Sequence, residues 1–242
     1  MTKVLKILTV IAAITFVVGV AAFCYTIGQK NASVSEFKET AEKMQDSIDD
    51  NEMDATTDTL NYDTYKVALD HDAHELADGE QIVHINVGFG SLEKGLKYIN
   101  DTYGHLNGRP AIQDFAALLK EVFPEEEGWT IAHRGGSSFL VFGKGQFDED
   151  KLIGYYDKMK AKWHDTPYQV ADGSGTVEGM ALYFCAALGP ECGSSFKELR
   201  DVLVYKKLAL RDITNCGYVI VTSPDHYISS VEIDETAYME EE

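Results

Sequence analysis

The chain is poor in positive charge and in cysteine. Lysine and arginine number 21 against 40 aspartates and glutamates, leaving a net charge of −19. A balance that acidic excludes attraction of nucleic acid or of an anionic membrane face by bulk electrostatics. The excess acid reads as a solubilising surface. The four cysteines include no Cys-x-x-Cys pair, which argues against a zinc site. Cys24 sits in an apolar run, leaving Cys185, Cys192 and Cys216. Outside the cytoplasm one disulfide among those three is open to the chain; inside it they are ordinary buried thiols. Common nucleotide fingerprints are missing as well. The glycine-rich "GFGSLEKG" (88–95) has the spacing of neither a P-loop nor a dinucleotide-binding turn. The string "DHDAH" (70–74) brings His71, Asp72 and His74 together, but histidines at i, i+3 on a polar helix read as solvated residues rather than metal ligands.

What the chain does have is one long apolar run. Residues 7–29 carry no charge, and about 20 residues at roughly 1.5 Å each cover a hydrocarbon core of roughly 30 Å. They are expected to form a single-pass transmembrane anchor behind a stub of residues 1–6. A cleaved signal peptide is the competing reading, since Lys3 and Lys6 make a basic head. Against it, the apolar stretch is long and no small-x-small cleavage site follows. Phe23 is bulky where a lipoprotein reading of Cys24 would need a small neighbour. Lys3 and Lys6 on one side nearly balance Lys30, Lys38 and Lys43 on the other, so charge decides orientation weakly. A stub this short usually stays in the cytoplasm, which places the bulk of the chain outside.

Residues 30–53 form an amphipathic segment. Val34, Phe37, Ala41, Met44 and Ile48 recur at alternating spacings of three and four, one face of a helix. They read either as a short stalk pairing two chains or as a helix packing on its own domain, since barely two heptads are present. Beyond it, strands and helices alternate. Tyr65, Leu69 and Leu76 mark a helix, "QIVHINVGF" (81–89) a buried strand, and "LEKGLKYINDTYG" (92–104) a helix stopped by glycine. The segment 110–123 opens with a helix-compatible proline and carries Ile112, Phe115, Ala116, Leu119 and Val122 on one face. Leu152, Tyr156, Met159 and Trp163 mark another helix, 180–188 a strand, 195–211 a helix and 217–221 a last strand. This pattern predicts one α/β domain around a central sheet, followed by a mobile acidic tail, 223–242.

Between two strand-like segments, "HRGGSSFLVF" (133–142) sets Gly135 and Gly136. Glycine reaches positive φ without steric cost, so these residues predict a tight hairpin with Ser137 and Ser138 at its tip. Together with "INDTYGHLNG" (99–108), this hairpin resembles the GGDEF family, the diguanylate cyclase domains. Those domains carry Ile-Asn-Asp-x-Tyr-Gly-His-x-x-Gly-Asp on a helix and Arg-Tyr-Gly-Gly-Asp-Glu-Phe on a hairpin. Their opening pattern, Asp-x-Leu-Thr-Gly-Leu-x-Asn, is matched at Asp54, Thr57 and Asn61. Their closing pattern, Ala-Leu-Tyr-x-Ala-Lys-x-x-Gly-Arg, is matched at Ala209, Leu210 and Gly217. The resemblance runs from about 54 to 222. It implies a class III nucleotide-cyclase-like fold, a mainly antiparallel sheet flanked by helices. It also implies an ancestral reaction in which two GTP condense to cyclic di-GMP across a domain dimer. That chemistry needs a divalent metal held by carboxylates, which stabilises developing charge and helps activate the 3′-hydroxyl.

The sequence departs from the family at those points. Ser137 and Ser138 stand where the signature has its two acids, and Asn86 or Gly88 where a strand-end carboxylate is needed. Counted without a gap, the two strand-end acids fall instead on Leu92 and Lys94. The guanine-contacting asparagine survives as Asn100, but its aspartate partner has become Arg109, which has donors and no acceptor. The phosphate-contacting lysine falls on Thr214, and the inhibitory-site positions on Glu126 and Trp129. His105 belongs to the family string and reads as a packing or capping residue; His133, where the family has arginine, reads as hairpin packing. The vestigial nucleotide-site positions are therefore Asn100, Arg109, Gly135, Gly136, Ser137, Ser138 and Thr214, with no metal, cofactor or catalytic residue assigned. The leading expectation is a membrane-anchored, inactive GGDEF-like module that binds a ligand or a protein, dimerising through the stalk or the old active face. A residual nucleotide enzyme holding its ligand with Asn100 and the 88–92 turn, and an extracytoplasmic structural protein keeping only the fold, are the alternatives.

Overall fold

Strand β3 (Gln81–Gly88) is the axis around which the domain is laid out. It is flanked on both sides by antiparallel neighbours, β5 (Ser138–Gly145) and β8 (Leu182–Gly189), and seven of its eight residues are buried. A strand covered on both faces needs apolar residues at nearly every position, as the run Ile82, Val83, Ile85, Val87 supplies. The sheet extends in the order β1-β2-β4-β5-β3-β8-β9-β10. Here β1 is Met53–Asp54, β2 Thr59–Leu60, β4 Trp129–Gly135, β9 Cys216–Ser223 and β10 His226–Ser229. Two pairings, β2 with β4 and β8 with β9, are parallel, so the sheet is mixed. A separate two-stranded ribbon joins β6 (Tyr168–Gln169) to β7 (Thr176–Val177). The computed structural model describes residues 52–90 and 93–238. The expected anchor at 7–29 and the seam from Val34 to Ile48 lie outside the described residues. Among those described, no helix is long and apolar enough to cross a membrane.

Helices cover both faces. On one, Phe89 meets Phe115 of α3 (Gly108–Val122) at 5.0 Å between ring centroids, and Trp163 at 5.1 Å. Trp163 lies in the π-helical extension Lys160–His164 of α4 (Glu149–Met159). On the other face, Tyr65 of α1 (Tyr62–His74) and Phe196 of α5 (Phe196–Asp201) pack edge-on against each other beside His84. Local signals explain where helices begin and end. Asn61 caps α1 by accepting from the N–H groups of Asp63 and Thr64, Asp148 caps α4, and Ser195 caps α5. Helix α2 (Leu96–Tyr103) stops at Gly104, whose φ of 89° a side chain would disfavour.

Three expectations are corrected. Helix α2 begins at Leu96 rather than Leu92, because Gly95 is its cap and Lys94 holds a left-handed φ of 59°. The segment 195–211 is two helices, α5 and α6 (Val204–Ile213), with a break at Val202 and Leu203. The tail is ordered past Ser223, where β10 adds an antiparallel strand to β9. Of the two cysteine readings left open, the structure has free thiols at Cys185, Cys192 and Cys216, the first two buried.

Candidate functional site

The opening turn and the hairpin are tied by one polar network. Asp54 accepts from the N–H groups of Thr56 (3.1 Å) and Thr57 (3.0 Å) and from the Thr57 hydroxyl (2.9 Å). The buried hydroxyls of Thr57 and Thr59 meet at 2.9 Å. His133 places Nδ1 3.1 Å from Asp54 Oδ1 and Nε2 3.0 Å from the Gly136 carbonyl, bridging turn and hairpin. Burial opposes charge on Asp54, but the nearby His133 imidazole and the Thr57 hydroxyl outweigh it and hold its carboxyl below the usual range. The matched positions Asp54, Thr57 and Asn61 thus serve backbone geometry.

At the end of β3 the donors do not suit a divalent cation. Asn86 is buried, and its Oδ1 accepts from Lys207 Nζ of α6 at 2.7 Å. A Cβ on Gly88 would lie 2.2 Å from the Ser137 carbonyl oxygen, which accepts from the Phe89 N–H (3.1 Å). The hairpin tip is closed onto β3, and position 88 admits no side chain. Magnesium asks for several oxygen ligands in near-octahedral array. This corner offers one amide oxygen already carrying an ammonium, and neutral serines. Among the described residues no group of three or more His, Cys, Asp or Glu is placed to hold a metal. The His71–Asp72 pair (3.3 Å) belongs to no such group, and His74 Nδ1 lies 2.6 Å from the Asp70 carbonyl.

The vestigial positions converge only in part. Asn100, Gly135, Gly136, Ser137 and Ser138 line one open cavity of about 550 Å³, together with His105 and Arg211. Asn100 Oδ1 is buried without a hydrogen-bond partner and lies over Gly108, where a Cβ would come within 2.2 Å of it. Ser138 Oγ is likewise buried and unpartnered. Arg109 is exposed in the first turn of α3 and is not among the lining residues. Thr214 caps α6 and exchanges hydrogen bonds with the Cys216 backbone, so its hydroxyl is engaged locally. It lines a neighbouring cavity of about 420 Å³ with Arg211 and Tyr183.

Sequence reasoning missed the basic residues. Lys207 and Arg211 stand four apart on α6 and so share a helix face. With Arg134 and Arg200 they line a third cavity, against His84 and Asn86. Burial, aided by Arg134 and Arg211, lowers the Lys207 ammonium to about 8, against a weaker opposing pull from Cys185. Two cations at i, i+4 facing a strand predicted to be buried are a signal the sequence carries.

This arrangement is that of the GGDEF fold. No family model matches the chain, and no curated protein does. Solved structures do. The GGDEF domain of TpbB (YfiN) from Pseudomonas aeruginosa is 21% identical, with a TM-score of 0.59 over 70% of this chain and 94% of that one. The coiled coil and GGDEF domain of DgcB from Caulobacter crescentus, solved in complex with c-di-GMP, is 16% identical, with a TM-score of 0.61 over 77% and 93%. The FimX GGDEF domain from Pseudomonas aeruginosa is 13% identical, with a TM-score of 0.57 over 71% and 99%. The domain therefore has a GGDEF-like α/β fold, its mixed central sheet flanked by helices.

Proposed function

We propose that this protein is a catalytically inactive GGDEF-like domain that works as a ligand-binding or protein-interaction module in cyclic-dinucleotide signalling, held at the membrane by residues 7–29. One observation carries the inactivity. At the strand end where the GGDEF pattern has a metal-binding carboxylate, the Asn86 amide oxygen takes a lysine ammonium at 2.7 Å. An ammonium there repels the divalent cation that would stabilise charge during phosphoryl transfer, a contribution of several kcal/mol in metal-assisted catalysis. The serines of the hairpin add no compensating charge. Two chains would pair through the 30–53 seam or through the cavity beside Asn100. Anchoring rests on the uncharged length of 7–29 and orientation on the short stub of residues 1–6, and compartment-specific reporters fused to the C-terminus would read the side on which the domain lies.

The test of inactivity is turnover. Full chain in neutral detergent, given GTP with Mg²⁺ or Mn²⁺, is expected to form no cyclic dinucleotide and to show no metal-dependent GTP heat in calorimetry. Production of cyclic di-GMP above a boiled control would overturn the reading.

A further inference from the structure

The cavity between β3, the hairpin and α5–α6 is wired unlike the rest of this acidic chain. Its volume is about 330 Å³, and four cationic side chains line it, Arg134, Arg200, Lys207 and Arg211, with no carboxylate among the lining residues. Asp201 bonds Arg200 (2.5 and 2.9 Å) from outside the lining. Arg134 stacks over Tyr62 and Arg211 over Tyr183, and among the described residues neither they nor Lys207 meet a carboxylate.

At the floor lies an unpartnered polar atom. His84 is fully buried, its Nδ1 sits 2.8 Å from the Tyr65 hydroxyl, and its Nε2 has no hydrogen-bond partner. When the Tyr65 O–H donates to Nδ1, the imidazole proton sits on Nε2. In that tautomer Nε2–H is a lone buried donor, which is costly unless an acceptor arrives from outside. The rim is apolar: Val204 and Leu208 are exposed large hydrophobic residues beside the cations.

We propose that this cavity binds a small soluble phosphomonoester, its phosphate held by Arg134, Arg200, Lys207 and the His84 Nε2–H and its apolar body lying over Val204 and Leu208. Guanidinium groups match phosphate oxygens bidentately, and a neutral imidazole adds a donor without added repulsion. The volume falls at the small end of ligand pockets. None of these cations is a vestigial nucleotide position, and the site needs neither guanine nor magnesium.

Titrating phenyl phosphate into the full chain in neutral detergent tests it, without GTP or divalent metal. Saturable binding is expected, tighter than that of inorganic phosphate because the ring covers the rim, with none for phenol. Arg134→Gln, a change at an exposed residue, and Lys207→Met should each weaken it about tenfold or more, the scale of a lost charge-assisted hydrogen bond. The His84 side-chain nitrogen resonance should shift on binding, a readout that packing alone would not give. Equal affinity in both variants, or no saturation with wild type, would overturn the proposal. Tighter binding of phosphatidic acid in mixed micelles would overturn the soluble occupant. Failure here would leave the inactivity reading intact, and measured cyclase turnover would leave this site intact.

Discussion

The opening turn around Asp54 and the cavity around Lys207 are both polar, and they are wired in opposite senses. In the turn, one carboxylate gathers two backbone N–H groups and a hydroxyl with an imidazole 3.1 Å away, and the buried threonine hydroxyls answer each other. In the cavity, cations of one sign surround a buried imidazole nitrogen that has no hydrogen-bond partner. The first arrangement closes around Asp54 Oδ1, and its unpartnered buried nitrogen, His133 Nδ1, has a carboxylate oxygen 3.1 Å away. The second leaves that nitrogen unpartnered beside cations of which only Arg200 meets a carboxylate, a cost that an external anion would relieve. The difference separates scaffold from site. Positions matching the GGDEF pattern at 54, 57 and 61 hold backbone, while the departures at Asn86, Gly88, Ser137 and Ser138 fall where that pattern has its metal carboxylates.

The largest effect is expected at the seam between hairpin and strand. Gly88→Ala pushes a methyl into the Ser137 carbonyl, and overpacking against backbone is expected to cost about 3 kcal/mol in urea unfolding. An unchanged midpoint would mean the hairpin tip gives way freely and is no scaffold. Next in size, Asp54→Ala strips the turn of its acceptor and should cost about 2 kcal/mol. The sign with pH follows from the lowered Asp54 carboxyl. Its folded value lies below the unfolded one, so its contribution is present above roughly pH 4 and lost as pH falls through the folded value. Asp54→Asn should remove that acid limb of the stability curve.

How far this was legible in the sequence depends on what each residue does. The strand over 81–89 and the faces of α3 and α4 could be read because burial imposes periodicity. Gly104 and the Gly135–Gly136 turn could be read because positive φ selects glycine. The late start of α2 was hidden because Lys94 adopts a left-handed φ that its side chain does not advertise. The split between α5 and α6 was hidden because Val202 and Leu203 continue a helical pattern that tertiary packing interrupts. At the site, Asn100 and the hairpin residues were found through the resemblance and do share a cavity, whereas Arg109 and Thr214 point to other duties. The basic cavity draws on β3, β4, α5 and α6, and long-range juxtaposition leaves no local pattern beyond the Lys207–Arg211 spacing.

The remaining variants sharpen the contrast from the side of the cavity. Lys207→Met removes a cation that burial disfavours, and should raise stability at neutral pH by about 1 kcal/mol, despite the bond lost to Asn86. Lys207 faces His84, Asn86, Cys185, Arg134 and Arg211, and its ammonium is lowered to about 8. A lysine whose folded value lies below its unfolded one weakens the fold while protonated. Wild-type stability should therefore rise as pH climbs from about 8 toward the unfolded lysine value near 10.4, and the methionine variant should lose that rise. Arg134→Gln should have the smallest effect of all. The side chain is exposed and its recorded contact is the Tyr62 ring, so unfolding should move by no more than about 0.5 kcal/mol. That near-silence is the informative result. A residue that scarcely alters stability yet weakens phosphate binding is placed for an external partner, whereas an Arg134 whose loss unfolds the domain would belong with Asp54 in the scaffold.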